Sequence, residues 1–178
     1  AELDKQLLKA VANRKSDVAT VKQILADGAQ VNSIDKDGRT ALHLAAKAGN
    51  KEVVQLLVDS LSMPNRSNDD FFEHINLPDV EEKTALHLAV KHGNTEVVRM
   101  LVNIGAEFLL EDKKGETAYS LALESRNEEI KQIFKQKATN IIFTAASEAG
   151  KWNTEWLDHA DINARVKDGS TLLHLAAQ

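Results

Sequence analysis

The sequence predicts an all-α repeat solenoid, built of stacked helix-turn-helix units. The stretch Arg39–Asn50 returns as Lys83–Asn94 and, more weakly, as Glu116–Asn127, and a shortened copy, Ser170–Ala177, closes the chain. The second and third copies start 33 residues apart. Self-similarity at a period of this length indicates stacked supersecondary units rather than one globular core.

The first two copies both contain Thr-Ala-Leu-His-Leu-Ala, starting at Thr40 and at Thr84. A 33-residue unit with this pattern resembles the ankyrin repeat, and the resemblance covers nearly the whole chain. It implies helix pairs with β-hairpin fingers projecting between them, and a domain that binds a protein or peptide as a scaffold or adaptor. It divides the single domain 1–178 into repeats at about 1–35, 36–80 (with an insertion over 62–79), 81–112, 113–138, 139–165 and a truncated 166–178.

Composition disfavours membrane insertion and nucleic-acid binding. Apolar residues make up 43% of the chain but aromatic residues only 4%, which suits closely packed helices. The net charge of −5 is mild, whereas nucleic-acid binders usually carry a concentrated basic face. No apolar run approaches the roughly 20 residues that span a bilayer. Because the chain has no cysteine, it has no disulfide or thiolate zinc site, which fits an intracellular, cytoplasmic protein. We also expect the chain to be monomeric in isolation.

The first repeat is predicted to cap the stack without a finger in front of it. Leu3–Asn13 and Asp17–Asp27 are predicted helices because their apolar residues recur at helical spacing. Ser16 is the expected N-cap of the second helix, and Gly28 is the expected left-handed residue that ends it. Terminal repeats are atypical because one of their faces meets water.

The second repeat follows the full pattern. Its finger contains Gly38, which suits the positive φ of a tight turn, and Thr40 is placed to cap the next helix. Helices are predicted over Ala41–Ala48 and Glu52–Asp59, with Gly49 at the turn between them.

An insertion separates the second and third repeats. The segment before Thr84 is about 11 residues longer than the other two finger segments, and the extra residues fall within 62–79. They begin polar and end with Phe71 and Phe72. One interpretation is a mobile polar loop anchored by these two rings, and the other is an aromatic contact for a partner.

The third repeat is the most regular, and the fourth departs from it. Repeat four keeps Thr117 but has Ser120 at the histidine position and Arg126 at the turn glycine. Its second helix is predicted over Glu128–Lys137. Without the histidine, we expect the fourth repeat to be locally looser.

No finger follows Lys137, so the fifth repeat is predicted to start directly with a helix over 141–146. Trp152 and Trp156 lie four residues apart and share a helix face, where they fill the core or anchor a partner. The sixth repeat stops at Gln178 inside its first helix, and half a repeat cannot bury its apolar face. We therefore expect the natural protein to continue beyond Gln178.

Nothing in the sequence indicates catalysis, a cofactor or a metal site. His43, His87 and His174 occupy one repeat position, so a solenoid spaces them apart instead of converging them on a metal. The resemblance implies that this histidine bonds the threonine and backbone of adjoining loops. The segment 35–38 lacks the further oxygen ligands of a calcium loop and is interpreted as a turn. The sequon at 65–67 is interpreted as a chance match, because it matters only in a secreted protein.

The resemblance implies that a partner contacts the finger tips and the inner face of the first helices. The residues there mix both charge signs, which favours protein recognition over phosphate tracking. A solvated rim is the alternative for any single residue. The candidates are Ile34, Lys36, Asp37, Arg39, Lys47, Val80, Glu81, Lys83, Lys91, His92, Glu111, Lys113, Lys114 and Glu116, with Ala48, Glu124 and Ser125 on the first helices and Phe71 and Phe72 from the insertion.

Two other functions stay open at this stage. The chain is a targeting or regulatory domain of a multidomain enzyme or secreted bacterial effector, or it is a structural spacer. A further hypothesis is hydroxylation of Asn32 or Asn163, since family members are substrates of that modification.

Overall fold

The computed structural model describes residues 2–62 and 68–148. Within these ranges the secondary structure is helical, and two isolated β-bridges stand where hairpin strands were expected. The helices are α1 (Glu2–Val11), α2 (Val18–Ala26), α3 (Ala41–Ala48), α4 (Lys51–Leu61), α5 (Asn68–Ile75), α6 (Ala85–Lys91), α7 (Thr95–Asn103), α8 (Ala118–Glu124) and α9 (Glu128–Glu148).

The helices stack in two layers. The first helices of successive repeats, α1, α3, α6 and α8, pack side by side, and the second helices α2, α4, α7 and α9 form the other layer. Each first helix also packs on the second helix of its own repeat. The described residues therefore form the predicted all-α solenoid.

Small side chains set the distance between neighbouring first helices. Ala45, Ala89 and Ala122 occupy the same repeat position and are fully buried. Helix axes approach to about 8 Å only where the side chains at the contact are small. The larger apolar residues, such as Leu57 and Leu101, fill the space between the layers from the second helices.

The boundaries of α3 and α4 follow from their capping residues. Thr40 has an extended backbone, and its side chain accepts a hydrogen bond from the backbone N–H of His43. Gly49 ends α3 in the left-handed region with φ of 75°. Asn50 then caps α4, because its side chain accepts from Val53 N–H at 3.1 Å. The prediction of α3 is confirmed, and α4 extends slightly beyond Glu52–Asp59.

The predicted N-cap of α2 is wrong by one residue. Asp17, and not Ser16, holds the extended cap conformation, and its carboxylate accepts from Ala19 N–H at 3.1 Å. The hydroxyl of Ser16 bonds instead to the carbonyl of Ala10 at the end of α1. Gly28 has φ of 102°, as predicted for the residue that ends α2.

The expectation of a loop is wrong for the last part of the insertion, which forms α5. This helix packs on α4, and Ile75 is its buried anchor. Just after α5, the side-chain oxygen of Asn76 accepts from Glu107 N–H at 2.8 Å and ties the insertion to the third repeat.

The predicted end of the fourth repeat's second helix at Lys137 is also wrong, because α9 continues to Glu148. No glycine or proline lies between residues 128 and 148 to interrupt its hydrogen-bond ladder. The chain thus passes the expected junction without a finger.

Several predictions lie outside the described residues. They concern the sequon at 65–67, Trp152, Trp156, Asn163, His174 and the rest of repeats five and six. Among the helices of the described part, none combines the length and apolar character needed to cross a bilayer.

Candidate functional site

Each of the three fingers among the described residues is folded around an aspartate. Asp35, Asp79 and Asp112 occupy one repeat position, five residues before the capping threonine. In each finger, Oδ1 of the aspartate accepts the backbone N–H groups two and four positions later, at 2.8–3.0 Å. These bonds close the turn locally, as Asx turns do. The interpretation of 35–38 as turn chemistry agrees with this geometry.

Main-chain hydrogen bonds join one finger tip to the next. Val80 N–H donates to the carbonyl of Asp37 at 3.0 Å, and Lys113 N–H donates to the carbonyl of Glu81 at 3.1 Å. Gly38 allows this approach, because a Cβ there would lie 3.2 Å from Cγ1 of Val80. The three tips therefore form one continuous edge.

Ion pairs connect the fingers beneath their tips. Oδ2 of buried Asp79 faces Nε of Arg39 at 3.6 Å, and Oδ2 of buried Asp112 faces Nζ of Lys83 at 3.4 Å. Both are ion-pair rather than hydrogen-bond distances. Burial acts to raise the pKa of Asp112, but bonds from the backbone of Glu116 and Lys114 and the Lys83 ammonium together bring it below its ordinary value. In repeat four the cationic position holds Glu116.

A histidine links each of the first two capping threonines to the next repeat by hydrogen bonds. Thr40 N–H donates to Nδ1 of His43 at 3.2 Å, so the ring proton lies on Nε2, 3.0 Å from the carbonyl of Lys83. His87 repeats this arrangement, with Nε2 3.1 Å from the carbonyl of Glu116. The structural role expected for these residues agrees with the geometry.

Burial keeps both rings neutral. Desolvation lowers the pKa of His43 and of His87, and the nearby carboxylates and carbonyls only partly oppose it. A second ring proton would point Nδ1–H at a backbone N–H, which already donates to that nitrogen. Neither ring is therefore available as a proton donor at neutral pH.

An asparagine at the start of α4 and another at the start of α7 join the repeats at their other end. Asn94 donates through Nδ2 to the carbonyls of Ala46 at 2.8 Å and Lys47 at 2.9 Å. Asn50 reaches back to the carbonyls of Arg14 and Ser16 in the same way, at 3.3 and 3.1 Å. These contacts fix the turns beside the last residues of the first helices.

Most of the predicted partner residues lie on the surface formed by the finger tips and first helices. Ile34 and Val80 expose 62% and 49% of their surface although they are apolar. Asp37, Arg39 and Glu116 are half-buried. The exposed charged and polar members are Lys36, Lys47, Glu81, Lys91, His92, Glu111, Lys113 and Lys114.

Arg39 and Lys83 are directed inward. Only 12% of the Lys83 side chain is exposed, and Arg39 also pairs with Asp37 at 3.1 Å. These contacts favour a role in holding the fingers together. Their assignment as partner contacts stays a prediction.

The ring of Phe72 covers the turn at the end of α7. A Cβ on Gly105 would lie 2.9 Å from Cε1 of Phe72, so a larger residue there would displace the ring. Phe71 packs against the core and meets Phe72 edge to face at 5.5 Å. Phe72 nevertheless stays 43% exposed, so its two interpretations, anchor and partner contact, both remain.

The described residues contain no arrangement that favours catalysis. Within residues 2–62 and 68–148, no three His, Asp or Glu side chains are grouped to hold a metal ion. A cleft of about 280 Å³ lies between α7 and α9, where amides and two cations surround Val102 and Ile133. It has no nucleophile and lies between second helices.

Several contacts of this surface were not foreseen in the sequence analysis. The inter-finger bonds, the carboxylates of Asp79 and Asp112, and the exposed Leu110 were all missed. The aspartates had a visible signal, since the same residue recurs five positions before Thr40, Thr84 and Thr117. No signal in the sequence predicted that these aspartates pair with cations of the preceding repeat.

Comparison with known proteins gives one family and two relatives. A family model described as ankyrin repeats (three copies) matches residues 7–112 and, overlapping them, 69–145. The nuclear factor NF-kappa-B p105 subunit of Gallus gallus is 28% identical over 171 residues, which is 94% of this chain and 14% of that protein. An L-asparaginase of Dirofilaria immitis is 42% identical over 53 residues, 30% of this chain and 9% of that enzyme. The chain thus spans about a tenth of the length of the curated relatives it matches.

Proposed function

Because the chain belongs to the ankyrin-repeat family, whose repeats are generally protein–protein interaction modules, we propose that it binds a protein or peptide partner across its finger tips and first helices. The observation that carries this proposal is an exposed surface on a rigid support. Asp79 and Asp112 hold the fingers from within, and backbone bonds join the tips. A surface ordered before binding loses little conformational entropy on association.

The composition of the surface also supports recognition of a protein. Exposed Ile34 and Val80 supply apolar area, and lysines and glutamates surround them. Interfaces between proteins typically combine an apolar centre with a polar rim. We propose further that this chain is not itself an enzyme, that it serves as a scaffold or adaptor, and that it acts inside the cell.

The test is an affinity capture from lysate followed by mass spectrometry. Lys36, Lys47, Lys91 and Lys113 are changed to Glu together, because all four are exposed and none is in an ion pair within residues 2–62 and 68–148. Arg39 is left intact, since its pair with Asp79 supports the fold.

A matched control carries the same charge change away from this surface. It replaces Arg14, Lys15, Lys22 and Lys135, which are also exposed, with Glu. Circular dichroism first establishes that both variants keep their helix content. We expect a partner captured by the original chain and the control, and lost by the finger variant. Equal capture by all three proteins would contradict the proposal.

A second function, regulation or targeting within a larger protein, is favoured by the small share of each relative that the chain spans. It predicts that a partner captured by this surface is an enzyme or lies within the same longer polypeptide. The spacer hypothesis predicts no specific capture by any of the three proteins.

A further inference from the structure

The first helices present charges at one repeat position that change sign along the stack. Lys47, Lys91 and Glu124 each lie seven residues after the capping threonine, in the last turns of α3, α6 and α8. All three side chains are exposed. Because α3 packs on α6 and α6 on α8, the three charges form one row across the floor of the surface. Packed helices lie about 8–10 Å apart, which sets the spacing of this row.

The two lysines of this row have no acidic partner in the described part of the chain. Two cations on the second helices are paired by comparison: Lys51 with Glu96 at 3.2 Å, and Lys131 with Glu128 at 2.7 Å. The chain is negative overall, with a net charge of −5, and yet two unpaired cations stand side by side here. An ammonium group left unpaired beside rigid backbone is free to pair with a carboxylate of another molecule.

The finger tips carry further exposed cations next to the row on the first helices. Lys36 and Lys113 are exposed at the first and third tips, and exposed Ile34 and Val80 lie on the fingers with them. Glu81 and Glu111 interrupt the cations, which makes the surface a poor track for a continuous phosphate backbone. Discrete carboxylates separated by apolar side chains fit it better.

We propose that the partner segment is acidic and extended, with carboxylates on Lys47 and Lys91, apolar side chains against Ile34 and Val80, and a basic residue facing Glu124. An extended chain in the polyproline II conformation has three residues per turn and rises about 3.1 Å per residue, so side chains three positions apart share one face and stand about 9 Å apart, close to the spacing of neighbouring first helices. Two acidic residues three positions apart therefore reach both lysines. The sign change at Glu124 sets the direction of the segment. This inference rests on the proposed function and names the chemistry of its partner.

The test is selection from a phage-displayed library of random 12-residue peptides. The targets are the original chain, Lys47→Glu/Lys91→Glu, and a control variant, Lys15→Glu/Lys22→Glu, which carries the same charge change elsewhere. We expect Asp and Glu to be enriched against the original chain and the control, and Lys and Arg to replace them against Lys47→Glu/Lys91→Glu. Fluorescence polarisation of the best acidic peptide should then show about tenfold or greater weakening by that variant only.

A compensating exchange sharpens the test. Changing the two acidic positions of the selected peptide to Lys should restore its binding to Lys47→Glu/Lys91→Glu, and binding should weaken with added salt. Acidic peptides that bind all three targets equally would overturn the inference, as would a library without acidic enrichment. Tight binding of a labelled single-stranded DNA, lost on Lys47→Glu/Lys91→Glu, would also overturn it in favour of nucleic acid.

The two proposals fail in different ways. If capture from lysate is lost in the finger variant but the selected peptides are not acidic, a protein-binding surface stands and its acidic specificity is wrong. If neither experiment gives a binder that responds to these lysines, both proposals fail.

Discussion

The second and third repeats are joined by contacts that the fourth repeat keeps only in part. His43 and His87 bond forward to the next repeat, whereas Ser120, at the same position, bonds only within its own cap. Arg39 and Lys83 pair with the next finger, and Glu116 replaces them in repeat four. The local cap and the bond between repeats are therefore separable properties of one sequence position.

The fourth repeat packs through aromatic side chains instead. Phe108, Tyr119 and Phe134 form a cluster with ring centroids 5.8–6.2 Å apart. The buried hydroxyl of Tyr119 has no hydrogen-bond partner among the described residues, and burial raises its pKa. Apolar packing, which is less directional than a chain of hydrogen bonds, therefore replaces the hydrogen bonds between repeats at this point in the stack. The stability of a repeat protein is approximately the sum of the stabilities of its repeats and of the interfaces between neighbouring repeats.

The largest expected effect is a loss of stability that distinguishes the histidine of the third repeat from the serine of the fourth. His87→Ala leaves the carbonyl of Glu116 and the N–H of Thr84 without their partner, so we expect it to lower the free energy of unfolding by about 2–4 kcal/mol. Ser120→Ala loses only bonds within its cap and should cost about 1 kcal/mol. Urea unfolding followed by circular dichroism measures both. Equal costs would mean that the bond between repeats contributes nothing.

A pair of glycines tests the asparagine contacts at the other end of the repeats. Gly49 and Gly93 both have positive φ, at 75° and 68°. Gly93→Ala meets no atom within 4 Å and should cost about 1 kcal/mol for the backbone alone. Gly49→Ala places Cβ 2.4 Å from Oδ1 of Asn94 and should cost about 1–2 kcal/mol more, because the bonds of Asn94 to α3 are disturbed. Thermal unfolding of the two variants compares them, and an identical loss would contradict a role for Asn94.

Acid should weaken the histidine-linked repeats. The pKa values of His43 and His87 are lowered in the folded state, so below the ordinary value of about 6.5 the unfolded chain binds more protons. Stability is then complete above about pH 6.5 and falls as the pH drops below it, by about 1.4 kcal/mol per pH unit for each proton taken up. Urea unfolding at a series of pH values from 7.5 to 5 measures this slope. His43→Gln should reduce it, and an unchanged slope would place the titrating group elsewhere.

The smallest expected effect is a gain in stability. Glu82 has φ of 59° at the position where the other fingers have Gly38 and Gly115. Glu82→Gly should therefore stabilise the protein by about 0.5–1 kcal/mol, since a side chain is strained in that region. Glu81→Gly, at the neighbouring exposed position without positive φ, is the control and should not stabilise. Destabilisation by Glu82→Gly would show that its side chain matters more than its backbone.

Much of the fold was visible in the sequence. The recurrence of Thr40 and Thr84, each with a histidine three residues later, predicted where the first helices begin, and Gly49 predicted where α3 ends. Helix α5 also left a signal that was missed, since Phe71 and Ile75 are spaced four apart after an acidic start. The polar composition of the insertion obscured it.

Local sequence determined the repeats, their caps and the Asx turns of the fingers, because those contacts join residues at most a few positions apart. Only the tertiary structure decided which lysines remain free. Lys83 is held by Asp112, whereas Lys36 and Lys91 are exposed, although all three are ordinary charged residues in the sequence. The bonds of Asn94 to α3 cross 47 and 48 residues. Such contacts depend on how one repeat is seated on the next, and the residues of a single repeat do not specify that.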